Sequence, residues 1–122
     1  MESPYKGKTG LRRLINAFGY SVEGIKAAYK NEDAFRQEVR LAVVLIPLAV
    51  YLGKTDIEQA LMIGSVMLVI IVELLNSSIE ATVDRVSLDH HKLAKRAKDI
   101  GSAAVLFSLV NLAVVWGLLI FG

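Results

Sequence analysis

Residues 69–87 read VIIVELLNSSIEATVDRVS, a stretch that begins like a membrane span and then turns polar. At about 100° per residue of a helix, its polar side chains fall within an arc of about 100°. The intervening leucine, isoleucine and valine residues lie outside that arc. The stretch therefore predicts one helix with a polar column on one face. The column consists of Glu73, Asn76, Ser77, Glu80 and Asp84.

The column begins inside an apolar segment, where a charge is costly unless it finds a partner, a metal or water. Glu73 follows apolar residues and precedes two leucines, so it is the strongest candidate for a general base. Structural interpretations stay open for the others. Asp84, next to Arg85, also fits an ordinary solvated charge. Glu80 also fits a structural ion pair, and Asn76 also fits a hydrogen bond between helices.

Length and composition limit the class of protein. The chain has 122 residues, of which 54% are hydrophobic, and we interpret residues 1–122 as a single domain. It has no cysteine, which excludes disulfides and cysteine-built zinc sites, and its two histidines are too few for a histidine metal cluster. The net charge of +2 is mild, and its distribution does not indicate a nucleic-acid partner.

Three apolar segments predict three membrane spans. Residues 100–121 carry no charge over 22 residues, which is roughly 33 Å of helix. Residues 59–79 carry only the charge of Glu73. Residues 41–53 are shorter, and basic residues at both ends favour a short span over a buried soluble helix. We expect transmembrane helices at about 39–55, 58–80 and 99–121.

Basic residues set the expected orientation. Eight Lys or Arg residues lie in residues 1–40 and five in residues 85–99, whereas Lys54 alone lies between the first two spans. By the positive-inside rule, the N-terminus and the second connection face the cytoplasm and the C-terminus faces the other side. The chain is thus predicted to be a multi-pass membrane protein.

The region at about 8–38 predicts an amphipathic helix that lies on the membrane. Apolar residues recur there at helical spacing, and most charged residues lie on the other side of the wheel. This pattern is typical of a helix in the cytoplasmic interface of the bilayer, although a helix packed on a soluble partner has a similar one. The expected fold is an all-α membrane protein with an interfacial helix and three transmembrane helices.

Two further polar clusters are predicted at the depth of the column. Acidic Glu32 precedes the first span, and Lys98 and Asp99 precede the third. Paired acids such as Glu32 and Glu80 suit Mg²⁺, and cationic Arg13 and Lys98 suit phosphate groups. The chain lacks a GxxxxGK[ST] loop and soluble-kinase motifs. The residues alone indicate a phosphate-handling membrane enzyme.

Three stretches together carry a family resemblance. NEDAFRQE at 31–38, VELLNSSIEATVDRVS at 72–87 and AKDIGSAAV at 97–105 are similar to the prokaryotic diacylglycerol kinase family. The first and the last of these, with GYS at 19–21, resemble its Gram-negative type more than its undecaprenol kinases. The combined pattern E-x-x-N-[ST]-x-I-E-x-x-x-D is specific. The resemblance implies a homotrimer with active sites shared between subunits, located in the bacterial inner membrane with a periplasmic C-terminus. It further implies transfer of the γ-phosphate of MgATP to diacylglycerol, which gives phosphatidic acid.

The resemblance also implies roles for individual positions. It gives Glu73 as the general base and Asn76 as a second catalytic position, with Mg²⁺ held by Glu32 and Glu80. The lipid-substrate positions that it implies are Arg13, Ser21, Glu73 and Ser102. The nucleotide-binding positions that it implies are Arg13, Tyr20, Glu32, Glu80, Asp89, His90, His91, Lys98 and Asp99.

Two alternative functions stay open at this point. An undecaprenol kinase of the same family shares the polar column and differs in its lipid. A small proton-coupled multidrug transporter has a similar length and one intramembrane glutamate. Such a transporter needs four spans, whereas this chain predicts three and a column that leads to a basic connection.

Overall fold

The computed structural model describes residues 10–86 and 92–122 of the chain. These residues form four helices and no strand, which confirms the predicted all-helical fold for the described part. The helices are α1 (Gly10–Asn31), α2 (Asp33–Leu52), α3 (Asp56–Val86) and α4 (Lys92–Phe121).

The apolar core lies where α3 packs against α4 on one side and α2 on the other. In the first half of α3, Met62, Val66 and Val69 are buried at intervals of three and four residues, which is the spacing of one helix face. In α2 the buried positions include Ala42 and Ala49. Small residues at a helix interface let two backbones approach closely, so α2 lies tightly against α3.

One indole group ties α4 to α3 by hydrogen bonds. Trp116 Nε1–H donates to the carbonyl oxygen of Met62 at 3.2 Å and to Ser65 Oγ at 3.1 Å. Ser65 Oγ in turn donates to the Met62 carbonyl at 2.7 Å. All three residues are buried, and a buried indole N–H needs an acceptor. These contacts fix the register of α4 against the first turns of α3.

The connection between α2 and α3 is short and closed by side chains. Gln59 Nε2 donates to the carbonyl oxygens of Val50 at 3.0 Å and Gly53 at 3.1 Å, which satisfies the end of α2. Thr55 Oγ1 accepts the backbone N–H of Glu58 at 3.1 Å and caps the start of α3. A Cβ on Gly53 would lie 2.5 Å from the side chain of Gln59, so this tight turn requires glycine.

A guanidinium group fixes the junction between α1 and α2. Arg36 Nη1 donates to the carbonyl oxygens of Tyr29 at 2.6 Å and Lys30 at 2.9 Å, at the end of α1. Its Nη2 pairs with Asp33. A cation at a helix C-terminus satisfies free carbonyls and interacts favourably with the helix dipole. Glu32, the residue between the two helices, is therefore held at a defined junction.

Helix α1 buries almost nothing within the chain. Ala28 is its only buried residue in the described structure, and its large apolar side chains are exposed. These exposed residues are Leu11, Leu14, Ile15, Phe18, Tyr20, Ile25 and Tyr29. An apolar helix face that the chain does not cover is consistent with the predicted position in a membrane interface.

Among the helices that the structure describes, two meet the requirements of a membrane span by length and composition. These are α3 and α4, whose most apolar 18-residue windows are only 28% and 11% buried. Core helices of soluble proteins are mostly buried, so these apolar faces indicate contact with lipid or other subunits. The third predicted span lies within α2, whose uncharged part is shorter, and three spans stay a prediction.

The indole contacts yield a test of how α3 and α4 are held together. We expect Trp116→Phe to lower the free energy of unfolding by about 0.5–1.5 kcal/mol, because the ring stays buried while its donor is lost. The measurement is an SDS titration in micelles followed by circular dichroism. Phe107→Leu, at an exposed ring of α4, serves as the control. Equal stability of Trp116→Phe and the unsubstituted protein would contradict this role.

Candidate active site

The buried face of α3 changes its chemistry halfway along the helix. Val69 is the last buried apolar residue, and the next positions on the same face are Glu73, Ser77 and Glu80. Glu73 is only 4% exposed, Glu80 is half-buried and Asp84 is exposed. The predicted polar column therefore continues the face that packs the core, and it becomes more exposed toward the end of α3.

A second carboxyl group meets Glu73 from the neighbouring helix. The carboxyl group of Glu38, on α2, lies within hydrogen-bonding distance of that of Glu73. A hydrogen bond between two carboxyl groups requires a proton on one of them. The carboxylates of Glu80 and Glu32 are close enough to interact electrostatically with Glu73. Glu73 is thus surrounded by acidic groups from α2, α3 and the α1–α2 junction.

An amide group orients one of these acids. Asn76 Nδ2 donates to Glu80 Oε1 at 3.1 Å, one helical turn away. Both side chains are half-buried. Because the bond joins neighbouring turns of one helix, it limits the positions that the Glu80 carboxylate can take. In this structure Asn76 acts on Glu80 rather than on Glu73.

A polar groove runs between α1 and the second half of α3, with a volume of about 790 Å³. Its wall on α3 carries most of the polar column, and its other wall carries small residues of α1 and the junction acid. Its polar lining residues are Ser21, Asn31, Glu32, Ser77, Ser78, Glu80 and Asp84. The groove therefore brings together three predicted site residues from three parts of the chain: Ser21, Glu32 and Glu80.

The two predicted metal ligands lie on this groove. Glu32 and Glu80 face it from the α1–α2 junction and from α3. Within residues 10–86 and 92–122, no three His, Cys, Asp or Glu side chains are grouped to hold a metal by themselves. Mg²⁺ is usually bound through one or two carboxylates together with substrate phosphates. Two carboxylates of this kind suit a hard cation that substrate phosphates also bind.

An ion pair closes the exposed end of the column. Lys98 Nζ on α4 lies 2.6 Å from Asp84 Oδ1 on α3. The hydrogen bond to Asp84 raises the pKa of Lys98 above its usual range, so the amine is a cation at neutral pH. Lys95 pairs with Asp99 at 2.6 Å along α4, and that hydrogen bond raises the pKa of Lys95. Lys98 thus places a positive charge beside a groove-lining acid.

An apolar groove of about 450 Å³ lies beside the polar one, between α1, α2 and α3. Phe35, Ala42 and Pro47 are among its lining residues. Ile25 and Leu74 line both grooves, so the two are adjacent, and Leu74 directly follows Glu73 in the chain. This arrangement suits an amphiphile with apolar chains and a polar end.

Several predicted site residues line neither groove of this chain. Of these, Arg13, Tyr20, Asp99 and Ser102 are exposed, whereas Glu73 is buried and Asn76 and Lys98 are half-buried. Asp99 lies instead in a shallow depression along α4, next to Lys92, Lys95 and Arg96. The predicted nucleotide contacts Asp89, His90 and His91 lie outside the described residues.

Glu38 received no role from the sequence, although it meets Glu73 in the structure. Its position in the sequence indicates the buried face of α2, because Glu38 lies three residues after Phe35 and four before Ala42, and both of these residues are buried. A helix wheel of α2 therefore puts Glu38 on the face that packs against α3. Its partner on α3 was not evident, because contacts between helices do not follow from the wheel of either one.

Comparisons with known proteins identify the family of this chain. The family model for prokaryotic diacylglycerol kinase matches residues 19–120. A protein of Pseudomonas aeruginosa named diacylglycerol kinase is 56% identical over 120 residues, which is 98% of each chain. A protein of the same name from Haemophilus influenzae is 53% identical over 113 residues, which cover 93% of this chain and 96% of that protein. One from Escherichia coli is 48% identical over 113 residues and 93% of each chain.

The family match covers the polar column, both grooves and all of α2 and α3. The relatives align over nearly their whole lengths, so the resemblance noted in the three sequence motifs extends across the chain. The chain therefore belongs to the prokaryotic diacylglycerol kinase family.

Proposed function

We propose that this protein transfers the γ-phosphoryl group of ATP to the free hydroxyl of sn-1,2-diacylglycerol, giving phosphatidic acid. One observation carries the proposal: the buried acid Glu73 directly precedes Leu74, which lines both the apolar groove and a polar groove that holds three further acids, Glu32, Glu80 and Asp84. Diacylglycerol matches this division, because it has two apolar chains and one hydroxyl group. The relatives named diacylglycerol kinase support the same substrate.

Glu73 acts as the general base in this proposal. As the lipid hydroxyl oxygen forms a bond to the γ-phosphorus, the hydroxyl proton passes to the Glu73 carboxylate. The bond between the γ-phosphorus and its bridging oxygen breaks, and ADP leaves with that oxygen. Glu38 lies within hydrogen-bonding distance of Glu73 and holds the base in place. Phosphoryl transfer asks mainly for positioning and charge stabilisation. Glu73 and Glu38 contribute to positioning, and cations would have to supply the charge stabilisation.

The nucleotide would occupy the polar groove. Glu32 and Glu80 would hold Mg²⁺ there, and the bound ion would neutralise negative charge on the phosphates. Asn76 keeps the Glu80 carboxylate oriented toward this task. Lys98 provides a cation at the end of the groove, where phosphate oxygens can replace or share its contact with Asp84.

The charge distribution and the exposed apolar faces support a particular membrane arrangement. We propose that α2, α3 and α4 cross the bacterial inner membrane and that α1 lies in its cytoplasmic interface. The excess of Lys and Arg before α2 and between α3 and α4 supports a cytoplasmic N-terminus and a periplasmic C-terminus. The base would then meet the lipid hydroxyl near the cytoplasmic surface, where ATP is present.

The division of predicted site residues over two surfaces supports an active site shared between subunits of a homotrimer. Glu32 and Glu80 line the polar groove, whereas Asp99 lies along α4 outside it. A groove of one subunit that meets α4 of the next would unite these residues. The exposed apolar surface of α4 offers the contact area for such packing.

The assay that tests the proposed function measures ATP-dependent phosphorylation in mixed micelles, with diacylglycerol and undecaprenol offered in parallel. Turnover of diacylglycerol is the expected result. Preference for undecaprenol would keep the mechanism and replace the lipid. Absence of phosphorylation of both lipids by folded protein would overturn the proposal.

The role of Glu73 gives a first prediction for this function. We expect Glu73→Gln to fold and to lower kcat by about 10²–10⁴-fold, because the amide cannot accept the hydroxyl proton. Glu58→Gln, at the other end of the same helix, is the matched control and should keep its turnover. Steady-state kinetics in mixed micelles provide the measurement. Full turnover by folded Glu73→Gln would exclude Glu73 as the base.

The role of Glu80 gives a second prediction. We expect Glu80→Gln to weaken Mg²⁺-dependent nucleotide binding by at least about tenfold, since a neutral amide is a poor ligand for a hard cation. Displacement of a fluorescent ATP analogue during a Mg²⁺ titration measures this affinity. Asp56→Asn, in the first turn of α3, is the control. Unchanged affinity in Glu80→Gln would remove Glu80 from the nucleotide site.

A further inference from the structure

Gly101 lies at a close contact between α4 and α3. It is buried in the interior of α4, where glycine is a poorer helix former than alanine. A Cβ at this position would overlap Asn76 Oδ1 on α3 and would lie 3.3 Å from Asn76 Cγ. The Asn76 amide therefore occupies the space that a side chain at position 101 would fill.

No other glycine within a described helix is in this situation. Gly19, Gly24, Gly64 and Gly117 would each place a Cβ in open space. Gly117 also belongs to α4, so the difference does not come from the helix as a whole. The contact that distinguishes Gly101 is made with the end of one polar side chain and not with the backbone of α3.

The two ends of the Asn76 amide are held differently. Its Oδ1 is buried against Gly101 and accepts no hydrogen bond from the described residues. Its Nδ2 donates to Glu80 Oε1 at 3.1 Å. Because the amide group is planar, the position of its oxygen against α4 determines where its nitrogen points. Contact with Gly101 is thus linked to the orientation of the Glu80 carboxylate.

We propose that Gly101 is a positioning residue for nucleotide binding, since it leaves the space that lets Asn76 hold the Glu80 carboxylate toward the polar groove. The inference rests on the proposed function, in which Glu80 binds the magnesium–nucleotide complex. Gly101 touches no substrate in this scheme. It acts through Asn76, and it adds α4 to the elements that shape the metal-binding end of the groove.

The proposal predicts a specific failure in Gly101→Ala. The added Cβ meets the end of a flexible side chain, so Asn76 moves while α3 and α4 stay packed. We expect Mg²⁺-dependent affinity for the fluorescent ATP analogue to fall by about tenfold or more, as for loss of a group that orients a metal ligand. Stability in the SDS titration should stay within the range of the Gly117→Ala control, whose nucleotide affinity should be unchanged.

A double substitution tests whether Gly101 acts through Asn76. In the Asn76→Ala background the overlapping amide is gone, so adding Gly101→Ala should cause no further loss of nucleotide affinity. If the double variant loses nucleotide affinity by the product of the two single effects, the proposal is overturned. Reduced stability of Gly101→Ala with unchanged nucleotide affinity would also overturn it. If Gly101→Ala alone does not fold, recovery of folding in the double variant supports the overlap, and failure to recover overturns the proposal.

The Glu80→Gln variant separates this inference from the proposed function. Loss of affinity in both Glu80→Gln and Gly101→Ala supports the full relay from Gly101 through Asn76 to Glu80. Loss in Gly101→Ala with unchanged affinity in Glu80→Gln would overturn the relay, because Glu80 would not be its end point. Loss of nucleotide affinity in Glu80→Gln but not in Gly101→Ala would support the proposed nucleotide site and overturn the role of Gly101.

Discussion

The burial of Glu73 constrains the rest of this structure. A carboxyl group that is 4% exposed within an apolar helix needs polar partners, because an unpaired charge there is costly. Glu38 provides a direct partner from α2, and the groove beside Glu80 gives the column access to polar surroundings. The packing of α2 on α3 therefore forms the apolar core and also gives Glu73 its partner, since the face of α2 that buries Ala42 also brings Glu38 to Glu73.

The helix junctions hold these side chains in register. Gln59 closes the short turn between α2 and α3 and fixes how far the two helices are displaced along their axes. Arg36 binds the last carbonyls of α1 and sets Glu32 at the edge of the polar groove. Both contacts use backbone carbonyls that a helix end would otherwise leave unpaired. The site thus depends on helix ends as much as on helix faces.

Helix α4 contacts α3 by polar groups at both ends of their common interface. Trp116 binds the backbone of Met62 near the start of α3, and Lys98 pairs with Asp84 near its end. Between them, Gly101 lets the Asn76 amide lie against α4. Apolar contacts alone hold two helices only weakly in one register when lipid chains offer equally apolar contacts. These polar contacts therefore give the helix pair a defined register. The same register places Lys98 beside the groove-lining acid Asp84.

The sequence by itself determined the four-helix chain and the polar column of Glu73, Asn76 and Glu80, because both depend on the local period of a helix. It did not yield the meeting of Glu38 with Glu73 or the contact of Gly101 with Asn76. Nor did it show that Lys98 of α4 pairs with Asp84 of α3. Each of these features depends on how separate helices are rotated and displaced against one another. Only the packed structure fixes that relation, because the side chains involved are far apart in the chain.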